Sequence, residues 1–189
     1  MKKIALAVVA SSVLAFAASS EITIVGGEAK PLNLNEYDKH ITYGVRFGIG
    51  LEDALGVDNP FVSHVEIGYD YSREVEYTRK QSNFKGESSL YRLYANAIRE
   101  FDLTDSIKFY ALAGVGYEEF ARKVPKRYFV FGQYGAGAKY YFTDYLALKV
   151  EVRHGIEIES PNRDNLFYTL GLTYTFAGKN QKEPALQLR

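Results

Sequence analysis

Three histidines, His40, His64 and His154, and the serines near them are the first residues to test for chemistry in this chain. A hydrolytic or acyl-transfer site needs a His and a Ser within hydrogen-bond reach of each other. Ser63 and His64 are adjacent, so on an extended strand they point to opposite faces. His154 has no Ser two residues away, which is where a neighbour on its own face would stand. His40 precedes an apolar run at a loop edge, where a solvated side chain is expected. His64 and Asp70 share a face but are six residues apart, too far for contact along one strand. Glu157 and Glu159 offer two carboxylates for a loosely held cation and are read instead as a solvated rim. The chain has no Cys, which excludes thiolate nucleophiles, disulfides and Cys-based zinc sites. Lys plus Arg and Asp plus Glu are each 23, without the basic surplus of a nucleic-acid binder. No catalytic residue, metal or cofactor is expected.

What remains is charge in a regular place. Arg46, Glu66, Arg92, Lys108, Glu118, Lys139, Lys149, Glu151, Arg153 and Glu157 all sit on the less apolar face of segments that alternate with a period of two. In Ile41–Ile49, for example, Ile41, Tyr43, Val45, Phe47 and Ile49 form one face, and Thr42, Gly44, Arg46 and Gly48 the other. The same alternation recurs from Phe61 to Tyr71, from Ile107 to Glu118, from Tyr134 to Phe142, from Leu146 to Ile158 and from Leu166 to Phe176. Leu90–Ile98 and the short Glu21–Gly27 are less regular and bring the count to eight strands. Several run about 9–11 residues, the length with which a tilted strand crosses a bilayer.

The second face separates a membrane barrel from a soluble one. It mixes large charged side chains with many glycines, which a solvated surface does not need and a narrow lumen does. The apolar face has aromatic ends, with Tyr69, Tyr71, Tyr117 and Tyr168 at one rim. Phe101, Phe109, Tyr140, Phe142, Tyr174 and Phe176 mark the other, which is the girdle pattern of a transmembrane barrel. A soluble lipocalin-like barrel would reverse the two faces. The expected fold is therefore an all-β, eight-stranded antiparallel up-and-down transmembrane β-barrel. Its lumen is filled by both signs of charge, which must pair because an unpaired buried ion costs several kcal/mol. Glu66 and Arg92 are expected in that network, either as a static plug or as pairs that exchange partners and open a narrow path.

The ends and connections fit this placement. Met1-Lys2-Lys3, the uncharged run Ile4–Phe16 and Ala15-Phe16-Ala17 make the three parts of a secretory signal peptide, expected over residues 1–20 and removed. Residues 21–176 are the barrel, and 177–189 read as a polar periplasmic tail. Leu103–Ser106 and Thr143–Tyr145 are short turns, whereas Ser72–Ser88 and Glu119–Arg127 are longer and charged. Barrels of this kind keep short turns inside and long loops outside. Leu51–Pro60 is longer than that rule predicts for an inner turn.

Several segments resemble the barrel half of the OmpA/OprF-type outer-membrane proteins. They are Tyr43–Gly48, Asn96–Glu100, Ala111–Glu118, Tyr134–Tyr140, Thr143-Asp144 and Leu146–His154, in that order and spacing. Thr169, Gly171, Tyr174 and Phe176 are similar to the terminal-strand signal read by the barrel-assembly machinery. The resemblance implies an outer-membrane location, contact with outer-membrane lipid, assembly through that machinery, and a structural or narrow-pore (porin-like) role. Many members of that family continue into a peptidoglycan-binding domain, and residues 177–189 do not resemble one. Two rival roles follow from other features. A surface adhesin or ligand binder would work through loop 72–88, and a lipid A-modifying enzyme would need folding to bring a His to a Ser.

Overall fold

The computed structural model describes residues 20–32, 38–51, 61–79, 84–121, 128–158 and 164–176. Eight strands are formed: β1 (Ser20–Pro31), β2 (His40–Gly50), β3 (His64–Arg79), β4 (Phe84–Asp102), β5 (Ile107–Phe120), β6 (Tyr128–Tyr141), β7 (Leu146–Glu157) and β8 (Asp164–Thr175). Each pairs antiparallel with its sequence neighbours, and β1 also pairs with β8, so the sheet closes on itself. Closure removes every free edge along the paired rows, which is what lets strands cross lipid. Both β1 and β8 have their outer ends at the rim that carries the short turns, because the strand number is even.

The direction of the faces excludes the lipocalin-like arrangement. Ile24 is 67% exposed and Leu170 54%, whereas Arg46, Glu66 and Lys149 are each 1% exposed. The apolar residues face out and the charges face in. Large and small residues alternate across the lumen: a side chain at Gly68 would overlap the Tyr94 ring, and one at Gly137 would overlap the Tyr110 hydroxyl. These two glycines make the room for two buried rings that a narrow barrel otherwise lacks. At the turn end, Tyr140 and Phe142 pack edge to face, as do Tyr174 and Phe176, with Tyr145 stacked on Tyr174. Toward the loop end, Tyr91 packs against both Tyr69 and Tyr71, and Tyr117 stacks on Tyr128.

Several boundaries depart from the sequence expectation, the end of β4 at Asp102 rather than Ile98 among them, and four have a physical reason. β1 continues past Gly27 to Pro31, because β2 and β8 both pair with it; a Cβ at Gly27 would collide with the Tyr168 carbonyl. β3 begins at His64 rather than Phe61, whose ring is 82% exposed beyond the sheet. Much of Ser72–Ser88, expected as loop, is ladder: β3 and β4 stay paired to Arg79↔Phe84 after a register shift between Ser72 and Val75. That bulge turns Val75 inward, where it joins Leu90, Phe120 and Phe129 in an apolar cluster. β6 begins at Tyr128, not Tyr134. Phe129 and Phe131 point inward and Tyr128 and Val130 outward, so both faces are apolar there and the alternation disappears from the sequence.

Residues 52–60, 122–127 and 159–163 lie outside the described residues, and with them most of Leu51–Pro60 and Glu119–Arg127, as well as Glu159. So do the tail 177–189 and all of the expected leader except Ser20, which begins β1.

Candidate functional site

The lumen charges come from alternate residues of seven strands, β1 to β7, and the register decides which meet. Three cations and three carboxylates occupy the middle: Arg46, Lys149 and Arg153 with Glu66, Asp70 and Glu151. Arg46 on β2 reaches Glu151 on β7 at 2.7 Å. Lys149 on β7 reaches Glu66 on β3 at 2.7 Å, and Arg153 reaches Asp70 on β3 at 2.8 Å. These strands are not neighbours in the sheet, so the bonds tie opposite walls of the barrel together.

Neutral groups complete the set. Asn96 donates to Glu66 at 3.0 Å, Gln133 donates to Asn96 at 2.5 Å, and Arg153 donates to Gln133 at 3.1 Å. The Tyr94 hydroxyl donates to Asp70 at 3.1 Å, and that of Tyr110 to Glu151 at 2.8 Å. The Arg153 guanidinium also lies 4.6 Å from the centre of the Tyr94 ring, and the Lys149 ammonium 5.0 Å from that of Tyr110. A carboxylate holding two or more charge-assisted bonds has little reason to exchange partners.

The turn end has its own group. Lys108, Lys139 and Lys149 stand side by side in register on β5, β6 and β7. Like charges facing each other across strands repel, and carboxylates hold them, with Glu100 shared between Lys139 and Lys108. Lys139 binds Glu21 at 2.7 Å and Glu100 at 2.6 Å, while Lys149 binds Glu66. Lys108 sits 3.3 Å from Asp102 and 3.6 Å from Glu100. Its side chain is 20% exposed, so it belongs to the rim rather than to the sealed interior. Toward the loop end, Arg92 binds Glu118 at 2.5 Å and lies over the Phe167 ring. Glu157 is buried beside them, next to a cavity of about 10 Å³ that it lines with Arg92, Glu118 and Phe131. That is room for about one water molecule.

Glu66 and Arg92 therefore meet different partners, Lys149 and Asn96 for the first, Glu118, Ser72 and His40 for the second. His40 corrects the sequence expectation of a solvated residue: it is buried, with Nε2 3.3 Å from Arg92 and Nδ1 bonded to the Asp38 carbonyl. Its parity with Thr42 and Arg46 puts it in the lumen as soon as β2 starts at residue 40. Glu157 is interior, as expected of a member of the inward charged set, and not the solvated rim residue that its spacing from Glu159 suggested. Sequence reasoning also left Glu21, Asp70, Glu100, Asn96 and Gln133 out of the charged set. All five share the inward parity of their strands, and that parity was the available signal.

His64 Nδ1 lies 3.9 Å from Glu100, and His154 bonds to Tyr134 and faces Asp164. No serine is hydrogen-bonded to any of the three imidazoles among the described residues, and the Ser63 hydroxyl instead accepts the Glu100 N–H. Thr169 and Gly171 face inward, and Tyr174 and Phe176 outward.

The sequence matches the model of the outer membrane protein beta-barrel domain family over residues 4–176. No curated protein matches it. Among solved structures, the N-terminal barrel domain of Pseudomonas aeruginosa OprF is 21% identical, with a TM-score of 0.53, covering 84% of this chain and 98% of that one. Yersinia pestis Ail, the attachment invasion locus protein, solved with the heparin analogue sucrose octasulfate, is 14% identical, with a TM-score of 0.53 over 84% and 99% of the two chains. The outer membrane enzyme PagL is 15% identical, with a TM-score of 0.50 over 82% and 98%. At these identities the three share a fold with this chain.

Proposed function

Because the chain belongs to the outer membrane protein beta-barrel domain family, and so is an outer-membrane barrel, we propose that it serves the outer membrane as a structural barrel with a closed lumen rather than as a standing pore. The observation that carries this reading is the balanced set of three cations and three carboxylates bonded across the middle of the lumen. A porin keeps a water channel open; here each charge in the middle has a partner within hydrogen-bond distance, and rings fill the space between them. The narrow-pore variant needs these pairs to exchange partners.

Single-channel recording in a planar bilayer, with protein shown to be folded by its heat-modifiable gel shift, tests the proposal. A silent bilayer is the expected outcome. Reproducible small steps that Glu66→Ala or Arg92→Ala alters would overturn the closed reading in favour of a gated pore.

Part of this proposal is that the barrel is not an enzyme, supported by imidazoles whose partners are Asp38, Arg92, Glu100, Tyr134 and Asp164 rather than a serine. Removal of residues 1–20, and reading of Thr169, Gly171, Tyr174 and Phe176 by the assembly machinery, belong to it as well.

A second reading rests on the β3–β4 pair. These strands are 16 and 19 residues long against 11 to 14 for the others, and their ladder continues beyond Leu90↔Phe120, where β5 stops. A projecting hairpin suits a surface ligand binder, the kind of role that the name of Ail describes. Replacing residues 73–88 with an Asn-Gly turn should abolish binding to host-cell surfaces and leave the barrel folded; unchanged binding would end that reading.

A further inference from the structure

At the loop end of the lumen one guanidinium gathers partners from several strands. Arg92 on β4 is 2% exposed. Its Nε bonds to Glu118 on β5, its Nη1 to Ser72 on β3 at 3.4 Å, and its Nη2 to His40 Nε2 on β2 at 3.3 Å. Its flat face lies over the Phe167 ring of β8. Of these ties, the one to His40 depends on a group that gains a proton in mildly acidic water.

The geometry fixes which ring nitrogen carries the proton. His40 Nδ1 lies 3.0 Å from the Asp38 carbonyl oxygen, which can only accept. Nδ1 is therefore the N–H, and Nε2 keeps the lone pair to which Arg92 Nη2 donates. A second proton has one place to go, and that is Nε2. There it turns an acceptor into a donor and sets an imidazolium against a guanidinium, both of them buried. Like charges so close repel strongly where water is scarce.

The neighbouring strands bring these charges to that height. On β3, Asp70 is held by Arg153 and Tyr94. On β5, Glu118 is engaged at Arg92 Nε. On β7, Glu157 lines the small cavity with Arg92 and Glu118, and His40 does not line it. On β1, Glu28 pairs with Lys39 at the exposed surface. An imidazolium at His40 therefore meets a cation first. His40 is also the first residue of its strand, three positions beyond Tyr43, which stands in one outward row with Tyr71 and Tyr91. The ring thus sits at the mouth of the barrel, where a small movement of the strand end admits water.

We propose that His40 and Arg92 form an acid-released latch on the outer mouth of the lumen. Near neutral pH it joins β2 to β4. In acid, protonation at Nε2 breaks it, the outer end of β2 moves away from Arg92, and water enters as far as Thr42. The ion pairs of the middle stay formed, so the latch stands or falls separately from the closed-lumen reading.

The chain has no Cys, so one introduced thiol reports on one place. Thr42 and Thr173 are each fully buried, the first two residues from His40, the second bonded to Thr23 near the turn end. Thr42→Cys and Thr173→Cys are labelled separately in folded, full-length protein with dithiodipyridine, which reacts with thiols in acid as well as at neutral pH. Between about pH 7 and about pH 4 the labelling rate at position 42, divided by that at 173, should rise. The rise should be about tenfold per pH unit over the range in which opening takes up one proton. His40→Gln should hold the ratio flat, because its amide accepts from Nη2, donates to the Asp38 carbonyl and does not titrate. Glu118 titrates alike in both proteins, so the difference belongs to His40. A flat ratio with His40 present, or an equal rise with Gln, would overturn the latch. Urea unfolding without any introduced Cys gives a second reading, should a thiol variant fail to fold. Acid should lower the midpoint more in the unaltered protein than in His40→Gln, because its unfolded imidazole takes up a proton that the latched fold refuses. Equal lowering would also overturn the proposal.

Discussion

The lumen is filled by opposite means at two heights. In the middle, Arg46, Lys149 and Arg153 are locked to Glu66, Asp70 and Glu151 by bonds across the barrel. Toward the loop end, Val75, Leu90, Phe120 and Phe129 pack as an apolar cluster, with Phe120 and Phe129 edge to face. Both exclude water, yet they fail differently. Removing one apolar side chain leaves a cavity whose cost grows with its volume. Removing one ion leaves its partners charged and uncompensated, and the penalty falls on the groups that remain. The middle therefore specifies which strands face each other, whereas the cluster only specifies that the space be filled.

The largest effect should come from the carboxylate with most partners. Glu151 meets Arg46 at 2.7 Å, Arg153 at 2.8 Å and Lys149 at 3.8 Å. Glu151→Ala leaves three buried cations against two carboxylates. Urea unfolding in lipid vesicles, followed by the gel shift, should show a loss of about 3–5 kcal/mol. A loss below about 1 kcal/mol, the scale of a surface pair, would erase the distinction between the two regions.

A smaller effect sharpens the same distinction. Glu66→Leu alone takes from Lys149 its 2.7 Å partner and leaves it only the more distant Glu151 at 3.8 Å. Adding Lys149→Met removes the stranded charge. The double variant should be more stable than Glu66→Leu by about 1–2 kcal/mol, because a buried pair replaced as a unit is often tolerated. Additive losses in the same unfolding assay would mean that the two residues act independently.

The two regions also differed in how far the sequence revealed them. Strand number, closure, the inward direction of Arg46 or Lys149 and the two aromatic rims follow from alternation between unlike faces. The partners do not: Lys149 and Glu66 are 83 residues apart and join across the lumen, a choice set by strand tilt and register that one strand's pattern does not contain. Glu100 was missed because its strand, expected to end at Ile98, runs on to Asp102; Glu21 stood at the first position of the expected strand Glu21–Gly27, where one residue before the first apolar position gives little sign of its face. The apolar cluster was illegible for a different reason. Where Phe129 faces in and Val130 faces out, both faces are apolar and the period of two carries no contrast. The bulge before Val75 then inverts the parity of a segment whose charges suggested a loop.

The smallest effect tests the cluster itself. Phe129 is 3% exposed and touches the Phe120 ring edge to face at 6.1 Å. Phe129→Leu keeps an apolar side chain of somewhat smaller volume and frees no charge, so its neighbours can close part of the gap. The cost should be about 1 kcal/mol, read from the urea midpoint at unchanged slope. Conductance should also stay as in the unaltered protein, because the bonds among Arg46, Glu66, Asp70, Lys149, Glu151 and Arg153 do not involve this ring. If Phe129→Leu instead opened a conducting path, the seal would lie in the apolar cluster. The ionic middle would then hold the barrel's shape without closing it.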